Sequence, residues 1–265
     1  MEYASGQALE RLDAGISEDR KDFFYYLLNA KDPETGSGLS TAELRSEAAT
    51  LIVAGSDTSS TALAASFFYL GRAENLFALN KLVVELKDVF NDVEEITAGT
   101  KLNSCLYLRA CIDEALRLSP PVPGALPREV LAGGMAIDGI FVPAGVDVSV
   151  PIYALHHNPS YFRNPEKFMP ERWIKSFSSP EELQVAQETF SVFSLGPRGC
   201  IGKSMAYMEL LITVARVVWL FEFRLMDGGK GKISSGDKAR EGIFEISDCF
   251  VAEKDGPMME VLERT

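Results

Sequence analysis

Ten residues constrain this chain more than any others: Phe193-Ser194-Leu195-Gly196-Pro197-Arg198-Gly199-Cys200-Ile201-Gly202. Three glycines and a proline build a turn, a cysteine stands in it, and an arginine precedes that cysteine by two positions. The stretch that follows, Lys203 to Phe221, is largely apolar through Met205, Met208, Leu211, Ile212, Val214, Ala215, Val218 and Trp219, and predicts a long buried helix. A sulfur held where a helix begins lies near unpaired N–H groups and the positive end of the helix dipole, which favours its thiolate. The glycines let the backbone take positive φ and lie close against a flat ligand. Arg198 carries a charge suited to a carboxylate. A thiolate on a tight loop beside such an arginine has the chemistry of an axial haem ligand.

A second long element precedes it. Ser40, with Glu43 three residues on, forms a capping box, so a helix is expected to start there and run to about Leu70. Its apolar residues lie on several faces, as in a helix that crosses the middle of a protein. Within it stands Ala54-Gly55-Ser56-Asp57-Thr58-Ser59. A glycine inside a helix costs about 1 kcal/mol against alanine and so wants a reason. Gly55 and Thr58 share a face. The glycine clears space there, and the Thr58 hydroxyl can bond back to the Ala54 carbonyl and loosen the helix. Taken alone, these six residues read as the wet side of an amphipathic helix.

The rest of the chain fills in around these two. A short amphipathic helix is expected over Ala8 to Ala14 and an aromatic one around Phe23 to Leu28, with a loop at Lys31 to Gly38. Asn75 to Phe90 has the spacing of a surface helix. Tyr107 to Leu118 predicts a helix stopped by Pro120-Pro121, with Glu114 and Arg117 on one face. Exposed, that pair would contribute only a few tenths of a kcal/mol. Asp138-Gly139 between Met135-Ala136-Ile137 and Ile140-Phe141-Val142 predicts a hairpin, and Pro143-Ala144-Gly145 turns the chain into a strand over Val146–Val150. Ala154 to Pro170 reads as an ordered meandering loop, Lys230–Arg240 as a polar loop, and Gly242 to Val261 as short terminal strands. The fold class is mainly α with a small β part.

Net charge −12 with no long basic run argues against nucleic acid as a partner. Cys105, Cys111, Cys200 and Cys249 show no CxxC spacing and suggest a reducing compartment. His156 and His157 are adjacent, so they cannot pair as metal ligands on one helix face, and both read as structural. No run reads as a signal peptide or a clean membrane span.

Four segments now stand in order: Ala54–Ser59, Glu114 with Arg117 before Leu118-x-Pro120-Pro121, Pro170-Glu171-Arg172-Trp173, and Phe193-x-x-Gly196-x-Arg198-x-Cys200-x-Gly202. Together they resemble the cytochrome P-450 haem-thiolate monooxygenases. Leu126-Pro127-Arg128-Glu129-Val130, the Asp138-Gly139 hairpin and Asp255-Gly256-Pro257-Met258 are similar to fungal members that act in specialised metabolism. The resemblance implies a cytochrome P-450 fold built on a long central helix, the ExxR helix and the cysteine loop with its following helix. It implies haem (iron protoporphyrin IX), with Cys200 as the axial ligand of the iron and Arg128 and Arg198 on its propionates. Phe193, Gly196 and Gly202 would complete the haem loop. It implies that Asp57 and Thr58 serve proton delivery, and that Ala54, Gly55 and Val122 line the oxygen and substrate pocket. The Val122–Leu126 loop and the turn near Ile243-Phe244 would also meet substrate. Glu114, Arg117 and Arg172 would form a buried structural triad.

The implied reaction inserts one atom of O2 into a small organic substrate, with electrons from NADPH through a cytochrome P-450 reductase. The family sits on the cytosolic face of the endoplasmic reticulum membrane. This sequence lacks the family's N-terminal half, with its membrane anchor and a Trp/Arg pair that grips haem; Trp173 and Trp219 both fall in later segments. It is therefore expected to form one partial domain over residues 1–265, C-terminal half only, and alone to be cytoplasmic or peripheral. Two other readings stand beside the oxygenase. One is a truncated, non-catalytic remnant that binds haem weakly or not at all; the other is a haem-thiolate isomerase or dehydratase. Intact Asp57-Thr58 speaks against the second, because that chemistry needs no proton relay to oxygen.

Overall fold

The computed structural model describes Gly6, residues 21–226 and residues 242–264. By their contacts, Met1–Asp57 and Thr58–Thr265 form two compact units, and the boundary between them falls within one helix. The helix expected over Ala8 to Ala14 and the polar loop over Lys230–Arg240 lie outside the described residues.

In the first unit, helix α1 (Phe23–Asn29) is capped by Asp22, whose carboxylate accepts the Tyr25 N–H at 2.9 Å. The capping box forms as its spacing predicts. The Ser40 N–H and hydroxyl donate to Glu43 Oε2 at 2.8 and 2.7 Å, and the Glu43 N–H donates to Ser40 Oγ at 3.3 Å. Helix α2 then spans Thr41–Leu70, 30 residues.

The second unit is a helical core. Helix α3 (Leu76–Val89) buries Ala78, Leu79, Leu82 and Leu86. A one-turn helix, α4 (Thr100–Asn103), leads into α5 (Leu106–Leu118), which is buried from Tyr107 to Leu118 except at Arg109. Helix α8 (Lys203–Leu220) buries Tyr207, Leu210, Leu211, Val214, Ala215 and Val218, and the apolar faces of α3, α5 and α8 close on one another. Spacing of three and four puts the buried positions of α3 and of α8 each on one stripe, while α5 is buried on nearly every face. A second cluster joins Ala65, Phe68 and Tyr69 of α2 to Ala115, Leu118 and Phe244. The expectation that α8 is buried along its apolar length needs correcting: Met205 and Met208 are 49% and 44% exposed. They sit on the stripe that α3 and α5 leave uncovered.

The β part is small and antiparallel. Strands β1 (Arg128–Glu129) and β4 (Asp147–Val148) pair, and β2 (Met135–Ile137) pairs with β3 (Ile140–Val142). Asp138 and Gly139 take φ of 49 and 77, the two left-handed residues that a tight hairpin of matching twist demands. The strand expected over Val146–Val150 shrinks to the two residues of β4, because β1 offers only two partners. After α8, β5 (Phe221–Leu225) pairs with β8 (Met259–Glu263), and β6 (Ile246–Ser247) with β7 (Glu253–Lys254).

Besides the one-turn α4, two further helices were not expected. Helix α6 (Ile152–His156) replaces the start of the meandering loop, its first N–H groups donating to the Gly124 and Pro123 carbonyls at 3.4 and 2.9 Å. Helix α7 (Pro180–Thr189) opens on a capping box between Ser179 and Glu182 with proline in its first turn. Among the described residues no helix is long and apolar enough to cross a membrane.

Candidate active site

The site is built on α5. Glu114 and Arg117, one turn apart, are both fully buried and bonded twice: Arg117 Nε to Glu114 Oε2 at 3.0 Å and Arg117 Nη2 to Glu114 Oε1 at 2.9 Å. Arg172, delivered by the 3-10 turn Pro170–Trp173, donates through Nε to Glu114 Oε1 at 3.0 Å. The Met169 N–H adds a bond to Oε1 at 2.9 Å, and Trp173 Nε1 a bond to Oε2 at 2.9 Å. Burial alone would push the Glu114 carboxyl up, but Arg117 and Arg172 outweigh it and hold it below its ordinary value. The other donors of Arg117 are also used, on the carbonyls of His156, Pro165 and Lys167. Arg172 donates to the carbonyls of Arg163 and Asn164. One buried carboxylate thus gathers two guanidiniums, and they in turn pin the backbone from 156 to 172. The structure brings Glu114, Arg117 and Arg172 together. It adds Trp173, whose signal was its place beside Arg172: a buried indole N–H must find an acceptor.

The cysteine loop closes on itself. Its 3-10 turn is Gly196–Arg198, and the Cys200 N–H donates to the Phe193 carbonyl at 2.8 Å. Gly196 takes φ of 67, where a side chain would be strained, and a Cβ on Gly199 would come within 3.1 Å of the Gly196 carbonyl. Gly202 is the N-cap of α8, so Cys200 stands just ahead of an 18-residue helix; a Cβ on Gly202 would lie 3.8 Å from Cys200 Sγ. Cys200 is free and exposed. Along the chain it is flanked by large apolar side chains turned to the surface: Leu195 is 68% and Ile201 97% exposed. Folded cores do not waste such residues. An accessible soft sulfur on a low glycine-rich loop, bordered by apolar surface, fits a large flat ligand that binds iron at its centre. Arg198 is exposed. Arg128, on β1, is also exposed and donates to the carbonyls of Leu126 and Pro127 at 3.3 and 2.8 Å.

A second buried group supports the loop. The Phe193 ring lies 4.9 Å from that of Tyr207, whose hydroxyl donates to Asp113 Oδ1 at 2.7 Å. Arg109 Nε donates to Asp113 Oδ2 at 2.9 Å, with its guanidinium 3.5 Å from the Tyr207 ring centre. Burial raises the Asp113 carboxyl, which Arg109 only partly offsets. The sequence holds the i,i+4 spacing of Arg109 and Asp113, but the second partner of Asp113, Tyr207, is far along the chain.

Ala54, Gly55, Asp57 and Thr58 all lie on α2, Asp57 ending the first unit and Thr58 opening the second. Ser59, the next residue, donates to Glu209 Oε2 on α8 at 2.9 Å. Val122 is half-buried, and its neighbours Pro123 and Gly124 line a cleft of about 360 Å³ with Tyr153, Ile243, Phe244 and Asp248. The two segments expected to meet substrate thus share one cleft.

Comparison with known proteins agrees with these features. The family model for cytochrome P450 matches residues 6–242. The cytochrome P450 monooxygenase poxM of Penicillium oxalicum is 43% identical over 91% of this chain and 44% of its own length. The cytochrome P450 monooxygenase lcsN of Purpureocillium lilacinum is 42% identical over 92% of this chain and 72% of its own. The crystal structure of the cytochrome P450DA heme domain superposes with a TM-score of 0.76 at 22% identity, covering 100% of this chain and 53% of that one. The chain spans about half the length of most curated relatives it matches.

Proposed function

The chain belongs to the cytochrome P450 family, and from that premise we propose that it is the haem-carrying part of a monooxygenase that inserts one oxygen atom from O2 into a small organic substrate of fungal secondary metabolism. The observation that carries this is the cysteine loop: an exposed, free Cys200 just ahead of α8, on a loop that Gly196 and Gly199 keep narrow. When bound, haem supplies an iron that binds and activates dioxygen, with the thiolate pushing electron density towards O–O cleavage.

The chain's own residues divide the remaining work. Cys200 holds the iron. Phe193, Gly196 and Gly202 shape the loop, and Arg128 and Arg198 bind the porphyrin carboxylates by charge-assisted hydrogen bonds. Thr58 holds a proton towards the oxygen side and Asp57 resupplies it, while Ala54, Gly55 and Val122 border substrate. The match of Ala54–Ser59 to the family motif, on one continuous helix, supports these last roles. Glu114, Arg117 and Arg172 lock the frame, as their burial and mutual bonds support. Residues 1–265 form part of one haem domain, electrons come from NADPH through a separate reductase, and the working enzyme lies on the cytosolic face of the endoplasmic reticulum. A second reading is a remnant without turnover, and one test separates the two.

The test is the absorption spectrum of the purified chain after haem addition, reduction and exposure to carbon monoxide. A strongly red-shifted Soret band is expected, followed by reductase-dependent oxygen insertion. Free-haem behaviour would overturn the oxygenase reading for this chain and leave the remnant.

A further inference from the structure

Arg117 does more than bind Glu114: its Nη1 donates to the His156 carbonyl at 2.8 Å. The ring of the same His156 accepts the Ser191 N–H at Nε2, 3.1 Å away, and stacks on Phe190 with centroids 5.4 Å apart and planes 16° from parallel. Ser191 is where the chain enters the cysteine loop. Its carbonyl accepts the Ser194 N–H at 2.8 Å, and the next loop bond runs from the Cys200 N–H to the Phe193 carbonyl. One side chain therefore links the buried ion cluster to the mouth of the loop.

Because Nε2 accepts a hydrogen bond, the ring proton sits on Nδ1. Nδ1 is buried and has no hydrogen-bond partner among the described residues. A buried donor left without an acceptor is costly and needs a reason. Packing is not that reason, since phenylalanine would fill the same space, keep the stack and carry no such donor. What histidine alone adds is the acceptor for Ser191. Burial first, and the Arg117 charge second, push the imidazole down to about 3, so its Nε2 lone pair persists at neutral pH.

We propose that His156 is a positioning residue: it sets the register of the Cys200 loop against the Glu114–Arg117 pair, and so fixes how Cys200 Sγ is presented to iron. The spectral half of this inference rests on the haem reading above; the structural half does not. Amide hydrogen exchange in the chain without haem therefore tests the second on its own, and the carbon monoxide spectrum of the haem-loaded chain tests the first.

The variants are His156→Phe, which keeps the ring and removes the acceptor, and His156→Gln, whose Oε1 reaches to about where Nε2 lies. In His156→Phe, exchange across residues 191–200 is expected to speed up roughly fivefold or more, the loss of one net hydrogen bond. Exchange in α5 and α8 should hold, and the fraction showing a thiolate-type spectrum should drop severalfold. His156→Gln should restore both. Wild-type exchange in a folded His156→Phe chain would overturn the proposal. If that variant does not fold, His156→Gln decides: wild-type exchange over 191–200 supports the anchor, and fast exchange with a native core refutes it. Fast loop exchange in His156→Phe, together with no thiolate spectrum even in the wild type, would sink the haem reading while leaving the anchor standing.

Discussion

At the scale of single residues, the argument turns on one carboxylate. Glu114 is fully buried with two guanidiniums on it. Removing it leaves Arg117 and Arg172 as buried cations with too few acceptors, so Glu114→Ala should cost roughly 3–5 kcal/mol in chemical denaturation. A loss below about 1 kcal/mol, the scale of exposed pairs, would show that the cluster does not hold the fold. Acid should act on the same region through two groups. Glu114 is held below its ordinary 4.5, so its contribution is complete above that pH and is lost as pH falls through its lower folded value. His156 is held near 3 against an ordinary 6.5, so the unfolded chain takes up its proton first and stability falls between those values as pH drops. The slope is up to about 1.4 kcal/mol per pH unit. Urea midpoints from pH 7 to pH 4 should therefore decline in the wild type and decline less in His156→Gln. Equal slopes would mean that His156 titrates normally. The spacing of Glu114 and Arg117 was legible in the sequence. Their burial followed from the family resemblance and not from their spacing, because it is made by residues 156 to 173, which only folding brings back over α5.

At the scale of elements, local chemistry predicted what local chemistry controls. Ser40 with Glu43 starts α2, and Asp138-Gly139 turns β2 into β3, because each signal and its partner lie within a few residues. Helix α7 carries the same kind of signal at Ser179-Pro180-Glu181-Glu182, but its face is too polar to show a helical period. Ser179→Ala should lower stability by about 1 kcal/mol and speed amide exchange in the first turn of α7. Unchanged exchange there would mean that packing, not the cap, holds the helix. Helix α6 is different: its five residues have no start signal, and it forms because the Pro123 and Gly124 carbonyls meet its first N–H groups.

At the scale of the whole molecule, the prediction concerns ligand linkage. A ligand that binds only the folded chain stabilises it by mass action, about 2.7 kcal/mol at a hundred times its dissociation constant. Haem should therefore raise the melting temperature of the wild type, and Cys200→Ala should lose most of that rise together with the thiolate-type spectrum. A Cys200→Ala chain that keeps the thiolate signature would refute Cys200 as the ligand. The sequence by itself determined the helices with strong periods or caps, the hairpin, the loop that presents Cys200 and the candidate triad, since each depends on neighbours within a turn or on a pattern carried whole in one segment. Tertiary structure alone decided that Trp173 and Asp113 join the supports of the site, that Met205 and Met208 stay at the surface, and that His156 reaches Ser191. Those outcomes rest on burial and on bonds between distant segments, and such bonds exist only once the chain has closed around them.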